Sequence, residues 1–276
     1  MVSSTILNIK KTMANNKMIK SIGLLGINKY GFEILKKIFF KKEIEIKFVT
    51  NKSKSSPHTR KIDNELAKFC DDNKLNYLGK SDINSKSLIN LMKSVDLAII
   101  GGYDKILKKE AIESPKFGVI NTHFGMIPEN RGCNPTMWAI LKKMDQGFTT
   151  YFVNESIDYG EIINRKKVLP YSINTTSLSA YDLITEEAVN DFENILFKIE
   201  NNKTLGFPDN KGNYFGQGLP NKGFINLDWQ DEKIVRYSNA LWFPPYKPAK
   251  VRKNGKIYFM KADFDKNGSL SIKYYD

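Results

Sequence analysis

The sequence has few of the residues that bind transition metals or form disulfides. Its 276 residues include two cysteines, Cys70 and Cys133, and two histidines, His58 and His123. Two cysteines far apart in the chain favour a reducing compartment, and these four side chains lack the close spacing of a structural zinc site. We therefore predict an intracellular protein without a metal site, in which His58 is a surface residue.

Long apolar runs are also absent. No run reaches the roughly 18 residues that a membrane-spanning helix needs. Residues 1–20 are polar and rich in lysine, without the apolar centre of a secretory signal. These features predict a soluble cytoplasmic protein that does not bind membranes, with residues 1–19 as an N-terminal tail.

Arginine is scarce although the formal net charge is +13, because lysine supplies most of the positive charge. The lysines are spread along the whole chain, whereas nucleic-acid-binding proteins usually gather basic residues on one face. We therefore expect no nucleic-acid partner. Two explanations of the charge stay open: a general compositional bias toward lysine, or a field that attracts small anionic substrates such as phosphorylated ligands.

Short apolar strands alternate with helical patterns in the first half of the chain. This alternation is typical of a doubly wound, mainly parallel α/β sheet of the Rossmann type. Gly23, Gly26 and Gly31 fall short of a dinucleotide-binding fingerprint and indicate close packing of a helix on a strand. The predicted strands cover residues 18–26, 44–49, 76–78, 95–100, 149–153 and 161–168, and the predicted helices cover residues 31–40, 62–71, 85–93, 136–143 and 183–199.

The composition changes at Asn201. Residues 201–223 are rich in Gly, Asn and Pro, which predicts a linker or a loosely ordered crossing. The residues that follow contain a helical segment and short strands, but they are too few for a second full core. We therefore predict a main domain over residues 20–203, and a linker with a small α+β subdomain over residues 204–276.

Two segments carry the residue types that acyl transfer to an amine requires. Asn121-Thr-His123 ends an apolar run, and Asp158 follows His123 by thirty-five positions. An amide N–H can stabilise an oxyanion, an imidazole can move protons near neutral pH, and a carboxylate can orient the imidazole. Because ligands bind at the carboxyl ends of parallel strands, we expect these residues at that edge of the sheet.

These residues and their neighbours resemble the folate-dependent formyltransferase family, whose members transfer a formyl group from N10-formyltetrahydrofolate to an amine. Within the family, residues 130–138 and Phe243-Pro-Pro-Tyr246 most resemble N-formyltransferases that act on nucleotide-linked amino sugars. The resemblance makes residues 20–203 the catalytic domain. It covers roughly residues 20–260 and rests on Asn121-Thr-His123, residues 127–132, Trp138-Ala-Ile140 and residues 157–163.

The resemblance implies an amine substrate and a pathway. The favoured substrate is a dTDP-linked 4-amino-4,6-dideoxyglucose, with 3-amino-3,6-dideoxyhexoses and GDP-perosamine as alternatives, and the product would enter surface polysaccharide such as the O-antigen of lipopolysaccharide. Two other functions stay open. One is methionyl-tRNA formylation, for which a longer C-terminal barrel is expected; the other is a non-catalytic nucleotide-binding module. The oligomeric state is open as well, although apolar strands near the C-terminus are able to pair across a homodimer.

The resemblance also implies roles for individual residues. Asn121 would polarise the formyl oxygen, His123 would be the general acid and base, and Asp158 would hold His123 and balance its charge. For the nucleotide sugar, Asn130 and Arg131 would reach the hexose or phosphates, whereas Trp242, Phe243 and Tyr246 would stack on the base, or else form a minor core, and Lys247 would meet the pyrophosphate. The implied folate pocket consists of Gly102, Tyr103, Asp104, Lys105, Ile106, Leu107, Phe152, Val153, Asn154 and Ile157.

Overall fold

A computed structural model describes residues 18–51 and 60–275 of the chain. Residues 1–17, which make up most of the predicted tail, lie outside the described residues. So does His58, and both remain predictions. In the described ranges no helix is both long enough and apolar enough to cross a membrane.

Strands and helices alternate through the described residues. The strands are β1 (Ser21–Ile27), β2 (Glu45–Asn51), β3 (Tyr77–Lys80), β4 (Leu97–Gly101), β5 (Val119–His123), β6 (Arg131–Gly132), β7 (Gln146–Phe152), β8 (Glu161–Leu169), β9 (Tyr214–Phe215), β10 (Ala249–Lys253), β11 (Lys256–Phe264) and β12 (Leu270–Tyr275). The helices are α1 (Lys29–Lys41), α2 (Arg60–Asp72), α3 (Lys86–Met92), α4 (Lys109–Glu113), α5 (Pro135–Leu141), α6 (Ser177–Asn190), α7 (Phe192–Glu200) and α8 (Asp231–Ala240), with a 3-10 helix at Pro220–Gly223.

The central sheet confirms the predicted fold class. Among the described residues its strand order is β3-β2-β1-β4-β5-β7-β8. The pairings from β3 through β5 are parallel, whereas β7 pairs antiparallel with both β5 and β8. From β1 the chain adds β2 and β3 on one side of the sheet and then returns to add β4 and β5 on the other side. Doubly wound sheets bind ligands in the crevice at the carboxyl ends of the two strands where this order reverses, here β1 and β4.

Glycines bring α1 close to β4, as the sequence indicated. A Cβ atom on Gly31 would lie 2.7 Å from the Cα atom of Gly101, so the first turn of α1 packs directly on the end of β4. The Asn28 side chain caps α1 by accepting a hydrogen bond from the Gly31 amide at 3.0 Å. This packing places the loop that follows β4 beside the end of β1.

The predicted continuous helix over residues 183–199 is wrong, because α6 ends at Asn190 and α7 begins at Phe192. Between them, the Asp191 carboxylate accepts hydrogen bonds from Asn164 on β8 and from Asn194 on α7. The Asn164 contact ties the junction to the sheet, and each helix buries its own apolar face.

The C-terminal residues form the predicted small α+β appendage. Strands β10, β11 and β12 make an antiparallel sheet, and α8 packs on it through Ile234 and Val235. The same apolar cluster includes Met137 and Ile140 of α5, so the appendage shares its core with the main domain. The domain boundaries at residues 203 and 204 stay a prediction.

Candidate active site

A cavity of about 1390 Å³ opens at the carboxyl ends of β4 and β5. Asn121 and His123 lie on its wall at the end of β5, and Asp158 joins them from the loop between β7 and β8. The structure therefore brings the three predicted catalytic residues together. Two further groups of residues line the same cavity, one from the loops of the main sheet and one from the appendage.

The surroundings of His123 determine which ring nitrogen is free to take a proton. The side chain is buried, and Nε2 lies 2.8 Å from the backbone carbonyl oxygen of Asn130. A carbonyl only accepts hydrogen bonds, so this geometry assigns the hydrogen of the neutral ring to Nε2. Nδ1 lies 3.8 Å from Oδ1 of Asp158. Nδ1 is therefore the ring nitrogen that faces the Asp158 carboxylate.

The Asp158 carboxylate is held from two sides. Oδ2 accepts a hydrogen bond from the Gly132 amide at 2.9 Å, and Oδ1 accepts one from the Tyr151 hydroxyl at 2.7 Å. The backbone of Asp158 is in the left-handed region, with φ of 48°. Its carbonyl oxygen accepts a hydrogen bond from Nε of Arg131 at 2.8 Å. The loop that carries the carboxylate is thus fixed in an uncommon backbone conformation.

Tyr151 belongs to the site, although the sequence interpretation missed it. Its ring is buried on β7, directly opposite Asn121 on β5. The hydroxyl accepts a hydrogen bond from Nδ2 of Asn121 at 2.8 Å and donates to Asp158. Burial and the negative charge of Asp158 raise the pKa of Tyr151 well above its ordinary value. The antiparallel pairing of β5 with β7 creates this contact, and no local motif signals it.

The loops predicted to bind folate form one flank of the cavity. Ile106 and Ile157 are apolar yet substantially exposed there, with 67% and 47% of their surface accessible. Exposed apolar side chains in a cavity wall suit the flat face of a heteroaromatic ligand. Phe152 is the exception, because it packs in the main core and does not line the cavity. The predicted residues that line it are Gly102, Tyr103, Asp104, Lys105, Ile106, Leu107, Val153, Asn154 and Ile157.

The appendage forms a second flank, which is aromatic and basic. Phe243, Tyr246 and Lys247 line it, and their predicted contacts with a base and a pyrophosphate stay predictions. Lys250 and Phe259, which the sequence interpretation missed, line it as well. They lie on the pairing strands β10 and β11, so their place beside the cavity follows from the sheet of the appendage.

The positions of three predicted sugar contacts do not support their assigned roles. Asn130 is buried, and its Nδ2 donates to the backbone oxygen of Pro135. Arg131 donates to backbone carbonyls, and the Trp242 ring lies against Tyr275 at 5.9 Å between centroids. None of the three lines the cavity, because their polar groups or rings make contacts within the fold.

The predicted linker takes part in the site. We call residues 206–223 the strap, because β9 within it pairs with β6 and several of its side chains line the cavity. Arg131 ties the strap to the Asp158 loop, since Nη1 donates to the Lys211 carbonyl at 2.8 Å and Nη2 to the Ile157 carbonyl at 2.6 Å. The strap residues that line the cavity are Tyr214, Gln217, Leu219 and Gly223.

Side chains able to bind a metal ion do not cluster in the described part of the chain. Within residues 18–51 and 60–275, no group of three or more His, Cys, Asp or Glu side chains is arranged to hold a metal ion. Cys133 lines the cavity, and burial together with the nearby charge of Asp158 raises its pKa. A raised pKa keeps the thiol neutral, which is the opposite of what a nucleophilic cysteine requires.

Comparison with known proteins identifies the class of this fold and site. A family model described as formyl transferase matches residues 40–193, more than half of the chain. The chain therefore belongs to the formyl transferase family, as its motifs indicated.

Several formyltransferases resemble the chain in sequence or in structure. GDP-perosamine N-formyltransferase of Brucella melitensis is 26% identical over 169 residues, which cover 60% of this chain and 64% of that protein. Methionyl-tRNA formyltransferase of Fusobacterium nucleatum is 30% identical over 217 residues, which cover 77% of this chain and 63% of that protein. The chain thus spans just under two thirds of the length of these relatives.

A solved structure shares the fold over most of the chain. It is that of an N-formyltransferase from Helicobacter canadensis in complex with folinic acid and dTDP-3-aminofucose. The TM-score is 0.64 at 19% identity, and the match covers 90% of this chain and 89% of the other.

Proposed function

We propose that this protein transfers a formyl group from N10-formyltetrahydrofolate to the amino group of a nucleotide-linked amino sugar. The observation that carries the proposal is that Asn121, His123 and Asp158 line one cavity together with loops of the main sheet and residues of the appendage. Its volume of about 1390 Å³ exceeds the roughly 300–1,000 Å³ of a site for one small ligand. A cavity of this size accommodates a donor on one side of the trio and an acceptor on the other.

The trio supplies the groups that such a transfer needs. The folate, when bound, provides the formyl group. The Asn121 amide stabilises the negative charge that develops on the formyl oxygen as the sugar amine forms its new N–C bond. Nδ1 of His123 takes the proton that the amine loses and returns it to the nitrogen that leaves the formyl carbon. Asp158, 3.8 Å away, stabilises the imidazolium in between.

The donor side is assigned by its chemistry. The loops of the main sheet present the exposed apolar side chains of Ile106 and Ile157 to the cavity, which suits the flat face of a pterin ring. The structurally similar Helicobacter canadensis protein is described with folinic acid, which is a formylated folate, and this supports the assignment.

The acceptor side is assigned by charge and aromatic surface. Phe243 and Tyr246 offer rings for a nucleotide base, and Lys247 and Lys250 offer cations for a diphosphate. We propose a dTDP-linked 4-amino-4,6-dideoxyglucose as the substrate and O-antigen assembly in the cytoplasm as the setting. The names of the similar proteins, with GDP-perosamine and dTDP-3-aminofucose, keep those two sugars as alternatives.

Methionyl-tRNA formylation is the second candidate, because the Fusobacterium nucleatum relative carries that name. The acceptor flank argues against it, since two lysines beside aromatic rings match one diphosphate and one base better than a long polyanion.

The test is to incubate the purified protein with N10-formyltetrahydrofolate and a panel of dTDP- and GDP-linked 3- and 4-amino sugars. Mass spectrometry then follows replacement of an amine hydrogen by a formyl group. Formylation of one sugar, lost in His123→Ala, is the expected result. Formylation of initiator methionyl-tRNA but of no sugar would favour the second candidate. Folate binding without any transfer would leave only a binding module.

A further inference from the structure

We propose that Tyr151 is a positioning residue, which sets the orientation of the Asn121 carboxamide for formyl transfer. This inference rests on the proposed function and adds to it a residue outside the trio. Tyr151 is 3% exposed, and the antiparallel pairing of β7 with β5 places it opposite Asn121. Its hydroxyl is held by Asn121 on one side and by Asp158 on the other.

The direction of the two hydrogen bonds follows from what each group is able to donate. A carboxylate only accepts hydrogen bonds, so the single hydrogen of the Tyr151 hydroxyl goes to Oδ1 of Asp158, 2.7 Å away. The hydroxyl oxygen is then left as an acceptor. Its partner on Asn121, 2.8 Å away, must be a donor, which makes it Nδ2 and not the amide oxygen.

The protonation state of Tyr151 preserves this order. Burial and the Asp158 charge raise its pKa well above the ordinary value. The phenol therefore keeps its hydrogen across the neutral range, and the chain of donors runs from Asn121 through Tyr151 to Asp158.

The consequence for catalysis concerns the second hydrogen of Nδ2. A carboxamide is planar, so holding one Nδ2 hydrogen on Tyr151 fixes the directions of the other hydrogen and of the oxygen. Asn121 lines the cavity, and the second hydrogen is the donor available to a substrate oxygen. Without the Tyr151 hydroxyl, the Asn121 carboxamide is able to rotate about its Cβ–Cγ bond. Rotation puts the amide oxygen in the place of Nδ2, and this oxygen repels a developing oxyanion.

The chain provides a matched control in Tyr30. This tyrosine is also buried, at 1% exposure, and its hydroxyl lies 3.0 Å from the Thr122 hydroxyl. Burial raises its pKa to about 12. Tyr30→Phe therefore removes the same atom from a comparable environment without touching Asn121, His123 or Asp158.

The kinetic test compares Tyr151→Phe with Tyr30→Phe, using thermal melts to confirm folding. We expect kcat of Tyr151→Phe to fall about 10- to 100-fold, because small errors in the placement of a catalytic group cost this much. KM for the folate and for the sugar should change less than about threefold. A loss in Tyr151→Phe no greater than in Tyr30→Phe, or a loss confined to KM, would overturn the proposal.

A second measurement does not depend on activity. The side-chain amide resonance of Asn121 in ¹⁵N-labelled protein is assigned by its disappearance in Asn121→Ala. We expect one of its two hydrogens to exchange slowly in the native protein and both to exchange fast in Tyr151→Phe. Fast exchange of both in the native protein refutes the positioning role, even if Tyr151→Phe cannot be purified. Absence of formyl transfer by the native protein would refute the proposed function, whereas the amide measurement separately decides whether Tyr151 orients the Asn121 carboxamide.

Discussion

The Nε2 atom of His123 lies 2.8 Å from the backbone carbonyl oxygen of Asn130, and Gly125 packs against both. This contact assigns the ring hydrogen to Nε2 and leaves Nδ1 facing Asp158, so a structural loop determines which nitrogen works as the base. The geometry depends on the absence of a side chain at position 125.

Substitution of Gly125 by alanine tests this arrangement. The added Cβ would lie 2.6 Å from Nε2 of His123 and closer still to the Asn130 oxygen, so the ring must move. We expect kcat of Gly125→Ala to fall at least about tenfold. Steady-state kinetics measure it, with Gly216→Ala as control because a Cβ at Gly216 meets nothing within 4 Å. Equal activity of the two variants would contradict the role of the Asn130 contact.

Replacement of Arg131 by lysine should impair the protein, because the guanidinium donates hydrogen bonds to three backbone carbonyls, those of Ile157, Asp158 and Lys211. A lysine ammonium cannot reproduce this planar set of donors. We expect Arg131→Lys to lower the free energy of unfolding by about 1–3 kcal/mol and kcat about tenfold. Urea denaturation and kinetics measure these effects.

Arg165 supplies the comparison for that variant. Its guanidinium makes an exposed ion pair with Glu129 at 2.8 Å, and exposed pairs contribute about 0–1 kcal/mol. Arg165→Lys should therefore be nearly neutral in stability and activity. If Arg131→Lys behaves in the same way, Arg131 does not hold the Asp158 loop.

Lys247 and Lys250 should act on binding of the nucleotide sugar and not on the chemical step. Both line the acceptor flank, and each ammonium lies over an aromatic ring, that of Phe259 for Lys247 and that of Phe224 for Lys250. We expect Lys247→Gln and Lys250→Gln each to raise KM for the sugar about tenfold at low salt, because each substitution removes one charge-assisted contact. Lys253→Gln, outside the cavity lining, should leave KM unchanged. A fall in kcat with unchanged KM would place the diphosphate elsewhere.

Cys133 should be dispensable and slow to react. Burial and the Asp158 charge raise its pKa, so the thiolate fraction at neutral pH is smaller than that of a free cysteine. Alkylation by iodoacetamide, followed by mass spectrometry, should accelerate only as pH rises above about 8.5, the ordinary thiol value. Cys133→Ser should keep kcat within about threefold. A complete loss of activity would indicate a covalent acyl-enzyme, which the proposed mechanism does not contain.

Strong local signals made the fold and the central residues predictable. Apolar runs such as residues 95–100 and the glycines around Gly31 predict buried parallel strands and close helix packing, and the structure has both. Asn121 and His123 follow directly on one such strand, so their place at the carboxyl edge follows from the rules of parallel sheets. Asp158 was associated with them by its residue type and its place after a second predicted strand, and the family resemblance implied its role.

Contacts between distant segments were not predictable in this way. The sequence predicted one helix where the structure has α6 and α7, because the apolar periodicity of the two is nearly continuous. At the break, Asp191 contacts Asn164 of the distant strand β8. The sequence also predicted a linker over residues 201–223. The strap lies beside the cavity because β9 within it pairs with β6, and this pairing joins segments far apart in the chain.

The sequence by itself determined the α/β class, the order of the elements and the chemical types at the centre of the site, because periodicity and local motifs act over a few residues. Only the tertiary structure decided which other side chains contact and position these central residues. Tyr151 reaches Asn121 through an antiparallel strand pair, and Arg131 turns away from the cavity toward backbone carbonyls. Such contacts depend on the register and packing of segments that are far apart in the chain, and a one-residue shift in register would remove them.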